Sequence, residues 1–210
     1  MISALEALER LREGNRRFVD VERSSEALVS PRRRLELASG QDPFATILGC
    51  SDSRVPVEIV FDQGLGDLFV IRVGGNIVAP SQIGSVEFAA ERFNTRLVVV
   101  LGHSRCGVIQ ATLEQLQDPK VGGSRHVDSI VNRVRPPLEG LMETSLRYDP
   151  DALVHHAVRA NVRASVSHLR HGSRIIEQLI QTDGLLVVGA EYSLETGVVD
   201  FFDGVPEPTS

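Results

Sequence analysis

Cys50, His103 and Cys106 are the residues of this chain whose types and spacing best suit joint chemistry. Thiolate and neutral imidazole are good zinc donors, and two Cys with one His is an attested set for a catalytic zinc that keeps its fourth position open. His103 and Cys106 lie three residues apart across an expected strand-to-helix turn, so both can reach one point. Structural zinc usually shows two close ligand pairs, whereas here one close pair is joined by one remote thiol. That pattern favours a catalytic site. Asp52 and Arg54 follow Cys50 at alternate positions. A carboxylate there can orient water, and a guanidinium can hold that carboxylate ionised through a bidentate contact. Taken singly, free cysteines are often small core residues and an Asp–Arg pair is often an ordinary surface pair. Their joint position beyond strand ends decides for the functional reading.

Such residues need a scaffold that brings two loops together. Cys50 follows the apolar run 44–49, and His103 and Cys106 follow 96–101, whose Leu97-Val98-Val99-Val100-Leu101 reads as a strand buried on both faces. In open α/β sheets, ligands bind beyond the carboxyl ends of the strands. Further strands are predicted over 67–73, 185–189 and 198–202, with Gly197 marking a hairpin between the last two. Helices are predicted over 2–19, 31–39, 55–61, 81–93, 106–117, 125–142 and 151–182. The alternation predicts an α/β fold: a mostly parallel central sheet of about four strands, an antiparallel C-terminal edge strand, helices on both faces and an N-terminal helical arm. One domain is expected over 1–210, with the arm at 1–40 and the α/β core at 41–205. The first helix has no obvious partner in its sequence neighbourhood, so it packs on this subunit or on another. Residues 21–30 and 206–210 read as loop and loose tail.

The chain has 210 residues, 42% of them hydrophobic and 24% charged, which is enough for a sizeable core. A formal net charge of −6 gives no support for nucleic-acid binding or for an anionic membrane surface. Arg32-Arg33-Arg34 reads as a solvated helix face. No apolar stretch approaches the length of a membrane span, and the first ten residues lack the features of a signal peptide, so a cytoplasmic protein is expected. Two cysteines do not make a disulfide framework, and both are expected as thiols available to a metal. Gly64-Leu65-Gly66 and Gly74-Gly75 match no nucleotide-loop fingerprint, and no Gly-x-Ser-x-Gly elbow is present. His126, His155, His156, His168 and His171 read as surface or structural residues.

Cys50-Ser51-Asp52-Ser53-Arg54 together with Gly102-His103-Ser104-Arg105-Cys106-Gly107 resembles the two signature motifs of the β-class carbonic anhydrases. Phe69-Val70-Ile71-Arg72 with Asn76, and the closing strand pair near 185–202, are similar as well. The likeness runs from the first helix to the last strand and is nearest the plant-type subgroup. It implies Zn²⁺ on Cys50, His103 and Cys106, with zinc-bound water or hydroxide attacking CO2 to give bicarbonate and a proton. It implies Asp52 and Arg54 as the catalytic dyad, with Asp52 as the fourth zinc ligand in a closed, inactive state. It implies substrate-binding roles for Gln41, Phe88 and Gly107. Gln41 matches a glutamine whose amide hydrogen-bonds substrate, often across a dimer interface, and Phe88 matches an aromatic that walls the pocket. A homo-oligomer is implied too, a dimer or dimer of dimers, with the N-terminal helix reaching over the neighbouring subunit.

The sequence also departs from the family pattern. Gly74 stands where plant-type members carry a pocket-lining Val. Ile47 replaces the tryptophan of an allosteric subgroup, so no non-catalytic bicarbonate site is expected. Two other functions fit the same motifs: a hydrolase of carbonyl sulfide or carbon disulfide at this site, and a non-catalytic zinc-stabilised binding protein. The intact Asp52–Arg54 pair speaks against the second.

Overall fold

In the computed structural model, which describes residues 2–21, 30–118 and 120–206, the run read as a doubly covered strand is β3 (Leu97–His103), and all seven of its residues are buried. β-Branched side chains on both pleat faces suit a strand with no solvent face. β1 (Ala45–Gly49) is buried throughout in the same way. With β2 (Leu68–Arg72), β4 (Leu186–Tyr192) and β5 (Val199–Asp203) they form one sheet in the order β2-β1-β3-β4-β5. β1 to β4 are parallel, and β5 pairs antiparallel with β4, as the sequence predicts. Of the loop expected at 21–30 and the tail expected at 206–210, residues 22–29 and 207–210 lie outside the described residues.

Eight α-helices flank the sheet among the described residues: α1 (Ala4–Val19), α2 (Pro31–Glu36), α3 (Val57–Val60), α4 (Pro80–Arg92), α5 (Gly107–Gln117), α6 (Arg125–Met142), α7 (Pro150–His171) and α8 (Arg174–Thr182). Alternation along β3 divides the core. Leu97, Val99 and Leu101 face α1 and α3, while Val98 and Val100 face α4, α7 and α8. A third cluster, containing Cys50 and Cys106, lies under α5, α6 and the first half of α7.

α1 starts on a reciprocal cap: Ser3 Oγ accepts from the Glu6 amide, and the Glu6 carboxylate accepts from the Ser3 amide. Its buried residues Ala4, Ala7, Leu8, Leu11 and Asn15 form one stripe, and that stripe lies on this chain's own sheet. Burial of Leu8 and Leu11 alone is worth about 1.5–3 kcal/mol each. Asn15 completes the docking. Its Nδ2 donates to the carbonyls of Val60 and Gly197, and its Oδ1 accepts from the Val199 amide.

Two expectations need correction. The helix expected over 151–182 is two helices. Gly172 ends α7, and Ser173 restarts the chain as the N-cap of α8, accepting from the Ile176 amide while donating to Glu87 at 2.6 Å. A continuous apolar stripe conceals this break, because the stripe follows burial and the break follows capping. His103, expected just beyond a strand, is the last residue of β3 and pairs with Tyr192 of β4.

Candidate metal centre

The two loops expected to converge do so at the carboxyl ends of β1 and β3, which are neighbours in the sheet. One ligand atom each from Cys50, His103 and Cys106 lies within 4.8 Å of the others. All three residues are buried, at 4%, 0% and 2% exposure. The two sulfurs are 4.0 Å apart. Two sulfurs each about 2.3 Å from a tetrahedral zinc would be separated by about 3.8 Å, so the spacing fits.

The histidine supplies the sharper test of fit. His103 Nδ1–H donates to the Ser104 carbonyl at 2.9 Å, which fixes the tautomer and leaves Nε2 as a bare acceptor. Nε2 is buried and has no hydrogen-bond partner among the described residues. Such a lone pair is costly unless something satisfies it, and a cation beside two sulfurs would. The sulfurs are prepared in a similar way. The Gly75 amide donates to Cys50 Sγ at 3.4 Å. Cys106 is the N-cap of α5, where the amides of Val108 and Ile109 favour thiolate. As a pair alone, the thiols keep one proton. The hydrogen bond from Cys106 brings Cys50 down to about 4, and that same bond, followed by burial, pushes Cys106 up. A divalent cation removes the reason for retaining the proton.

Asp52 and Arg54 form the expected bidentate pair. Arg54 Nε donates to Oδ1 at 2.9 Å and Nη2 donates to Oδ2 at 2.7 Å, while the Arg54 amide also donates to Oδ1. These bonds hold the Asp52 carboxyl well below the usual carboxylate range. Oδ2 lies 3.9 Å from His103 Nε2, so the carboxylate borders the cluster while Arg54 engages both its oxygens. Arg54 also donates to the Arg105 carbonyl at 3.3 Å, tying the first loop to the second.

The remaining expected residues are placed differently. Gly107 opens α5 next to Cys106, and apart from its chain neighbours and its own helix backbone no atom of the described residues lies within 4 Å of where its Cβ would stand. Gln41 is exposed in the segment entering the amino end of β1, away from this chain's own cluster. Phe88 is 53% exposed on α4, where it meets Phe69 and Phe93 at ring separations of 6.2 and 5.6 Å. His155 lines a cavity of about 350 Å³ with Ser104, Arg105, Glu191 and Glu195, and none of Cys50, His103 and Cys106 lines that cavity.

The fold also supplies residues that spacing alone did not single out. Arg72, at the end of β2, donates to the carbonyls of Cys50 and Asp52 and so braces the first loop. Asn161 and Ser165 of α7 donate to the carbonyls of Gly75 and Asn76, holding the turn whose amide reaches Cys50. Ser104 and Arg105 of the second loop both bind Glu195, ninety residues downstream. The signature segments contained Arg72 and Asn76, but nothing local indicated their partners.

A family model described as carbonic anhydrase matches residues 45–199. The chain belongs to the β-class carbonic anhydrases. It is 40% identical over 187 residues to "Carbonic anhydrase 2" of Mycobacterium tuberculosis, covering 89% of this chain and 87% of that one. The crystal structure of the β-carbonic anhydrase CafA of Aspergillus fumigatus superposes with a TM-score of 0.74 at 27% identity, covering 84% of this chain and 83% of that chain. One of two tetrameric β-carbonic anhydrases of Sordaria macrospora gives a TM-score of 0.73 at 27% identity, covering 82% and 87%. No helix among the described residues of this carbonic anhydrase is long and apolar enough to cross a membrane.

Proposed function

We propose that this carbonic anhydrase holds Zn²⁺ at Cys50, His103 and Cys106 and hydrates CO2 reversibly to bicarbonate and a proton. One observation carries the reading: the buried Nε2 of His103 converges with two sulfurs and has no hydrogen-bond partner among the described residues. When bound, zinc supplies Lewis-acid chemistry that makes hydroxide accessible near neutral pH. Asp52, kept ionised by Arg54, accepts a hydrogen bond from the attacking water and so aims its lone pair at the substrate carbon. Arg54 keeps that carboxylate from turning inward, and release of the pair would let Asp52 close on the metal position as a fourth ligand. The open space beside Gly107 supports its reading as part of the substrate-binding surface.

The working unit is a homo-oligomer built from dimers. The tetrameric Sordaria relatives support this, as does β2, an edge strand with one side free among the described residues. Gln41 and Phe88, exposed and away from the site in their own chain, then serve the partner subunit's pocket. Stopped-flow CO2 hydration by zinc-loaded protein tests the reading between about pH 6 and 9, the range in which a metal-acidified water titrates. Zinc-loaded protein without activity across that range would sink it.

A further inference from the structure

The segment between the second and third ligands carries strain. Arg105, one residue before Cys106, has φ +54, a left-handed conformation that a non-glycine residue keeps only when its surroundings hold it. Those surroundings come from the hairpin between β4 and β5. Ser104 Oγ donates to Glu195 Oε2 at 2.7 Å, and Arg105 Nε donates to Glu195 Oε1 at 2.6 Å. The Leu194 amide donates to Ser104 Oγ at 2.9 Å, and the Ser104 amide donates to the Tyr192 carbonyl at 2.9 Å. The same two residues present the carbonyls that matter at the site. Ser104 O fixes the His103 ring, and Arg105 O receives Arg54.

We infer that Glu195 is a positioning residue for the metal centre, holding the Ser104–Arg105 link so that His103 Nε2, Cys106 and Arg54 keep their mutual geometry. The inference rests on reading Cys50, His103 and Cys106 as metal ligands. Exposure decides which effect dominates. The Arg105 and Glu195 side chains are 70% and 46% exposed, so as an ion pair they add little to stability. Their contribution is geometric: one carboxylate grips both residues of a two-residue link. Removing it should therefore disturb the metal far more than the fold. The hairpin is itself rigid enough to act as an anchor, because Ser193 caps its turn through the Thr196 amide and Asn15 of α1 fixes Gly197 and Val199.

The test uses the full chain loaded with zinc or cobalt(II). Glu195→Ala should release zinc to a chromogenic chelator about tenfold faster than the parent, the usual scale for outer-sphere partners of a ligand. Its cobalt d–d absorption should shift, while its thermal midpoint stays close to the parent's. Ser104→Ala removes the grip from the loop side and should reproduce both effects, which also covers the case in which Glu195→Ala fails to fold. Both variants lose the Ser104–Glu195 bond, so the double variant should release zinc more slowly than the product of the two single effects. Arg96→Ala breaks the pair with Asp183 at the opposite end of β3, and it should lower the midpoint without moving either metal readout. Parental release and parental spectra in both Glu195→Ala and Ser104→Ala, or multiplying effects in the double variant, overturn the inference. A parent that binds no cobalt overturns the metal reading itself and takes this inference with it.

Discussion

Gly74 and Gly75 are neighbours with opposite demands, and replacing each with alanine separates backbone strain from contact. Gly75 has φ +68, and a Cβ there would stand 2.8 Å from Val108 Cγ1 and 3.2 Å from Val108 Cβ. The left-handed conformation costs an L-residue about 1–2 kcal/mol. Forcing a methyl against a β-branched side chain adds about 1–3 kcal/mol, because Val108 has little torsional freedom with which to yield. Loss of glycine's unfolded-state entropy returns about 0.4–1 kcal/mol. The sum is a destabilisation of about 3 kcal/mol, which moves a urea midpoint down by about 1–2 M for a slope of about 2 kcal/mol/M. At Gly74 the nearest atoms are 3.4 and 3.6 Å from a Cβ, which is ordinary contact, and φ is not positive. Gly74→Ala should therefore be neutral or slightly stabilising. The assay is urea unfolding by circular dichroism at matched protein concentration, with metal removed by chelator. Adding Val108→Ala to Gly75→Ala should recover the contact part of the loss and leave the backbone part. Equal midpoints for Gly74→Ala and Gly75→Ala would refute the reasoning.

Cys106→Ser should bring bound zinc well below one ion per chain, and unchanged content by elemental analysis would remove Cys106 from the ligand set. Asp52→Asn should keep the metal and lower kcat on the order of 10²-fold, the scale of a positioned proton acceptor; parental turnover would break the dyad argument. Ser3 donates from its amide and its hydroxyl to the Glu6 carboxylate, which holds that carboxyl below its ordinary 4.5. The native state then binds this proton more weakly than the unfolded chain, so the stabilisation is present above 4.5 and lost as pH falls through the lowered native value. Glu6→Gln should lower the thermal midpoint at pH 7, with a gap that narrows as pH drops below 4.5. A gap that does not change with pH would contradict the cap.

The strands and the convergence of Cys50, His103 and Cys106 were legible in the sequence because both depend on local signals. An unbroken apolar run such as 97–101 has one good solution, a central parallel strand, and residues just beyond such strands meet at one edge of the sheet. What was not legible depends on distant partners. The capping oxygen of Ser173 outweighed a continuous apolar stripe and split one expected helix in two. The seat of α1 is decided by Asn15, whose partners are 45, 182 and 184 residues away. Glu195 looks like any turn carboxylate until the fold brings Ser104 and Arg105 against it. Gln41 and Phe88 lie away from their own chain's site, so a role for either there needs a second copy of the chain.

The Asn15 clasp also bears on the order in which the protein is assembled during synthesis. Two of these three hydrogen bonds are to Gly197 and Val199, so they cannot form until the chain has been translated through Val199. Until then α1 carries the apolar stripe of Ala4, Ala7, Leu8 and Leu11 without the hairpin that finishes its seat. Closing contacts of such long sequence separation makes a fold slow to complete and leaves apolar surface uncovered in the interval. A nascent chain halted before β5 is therefore the form of this enzyme for which chaperone protection matters most.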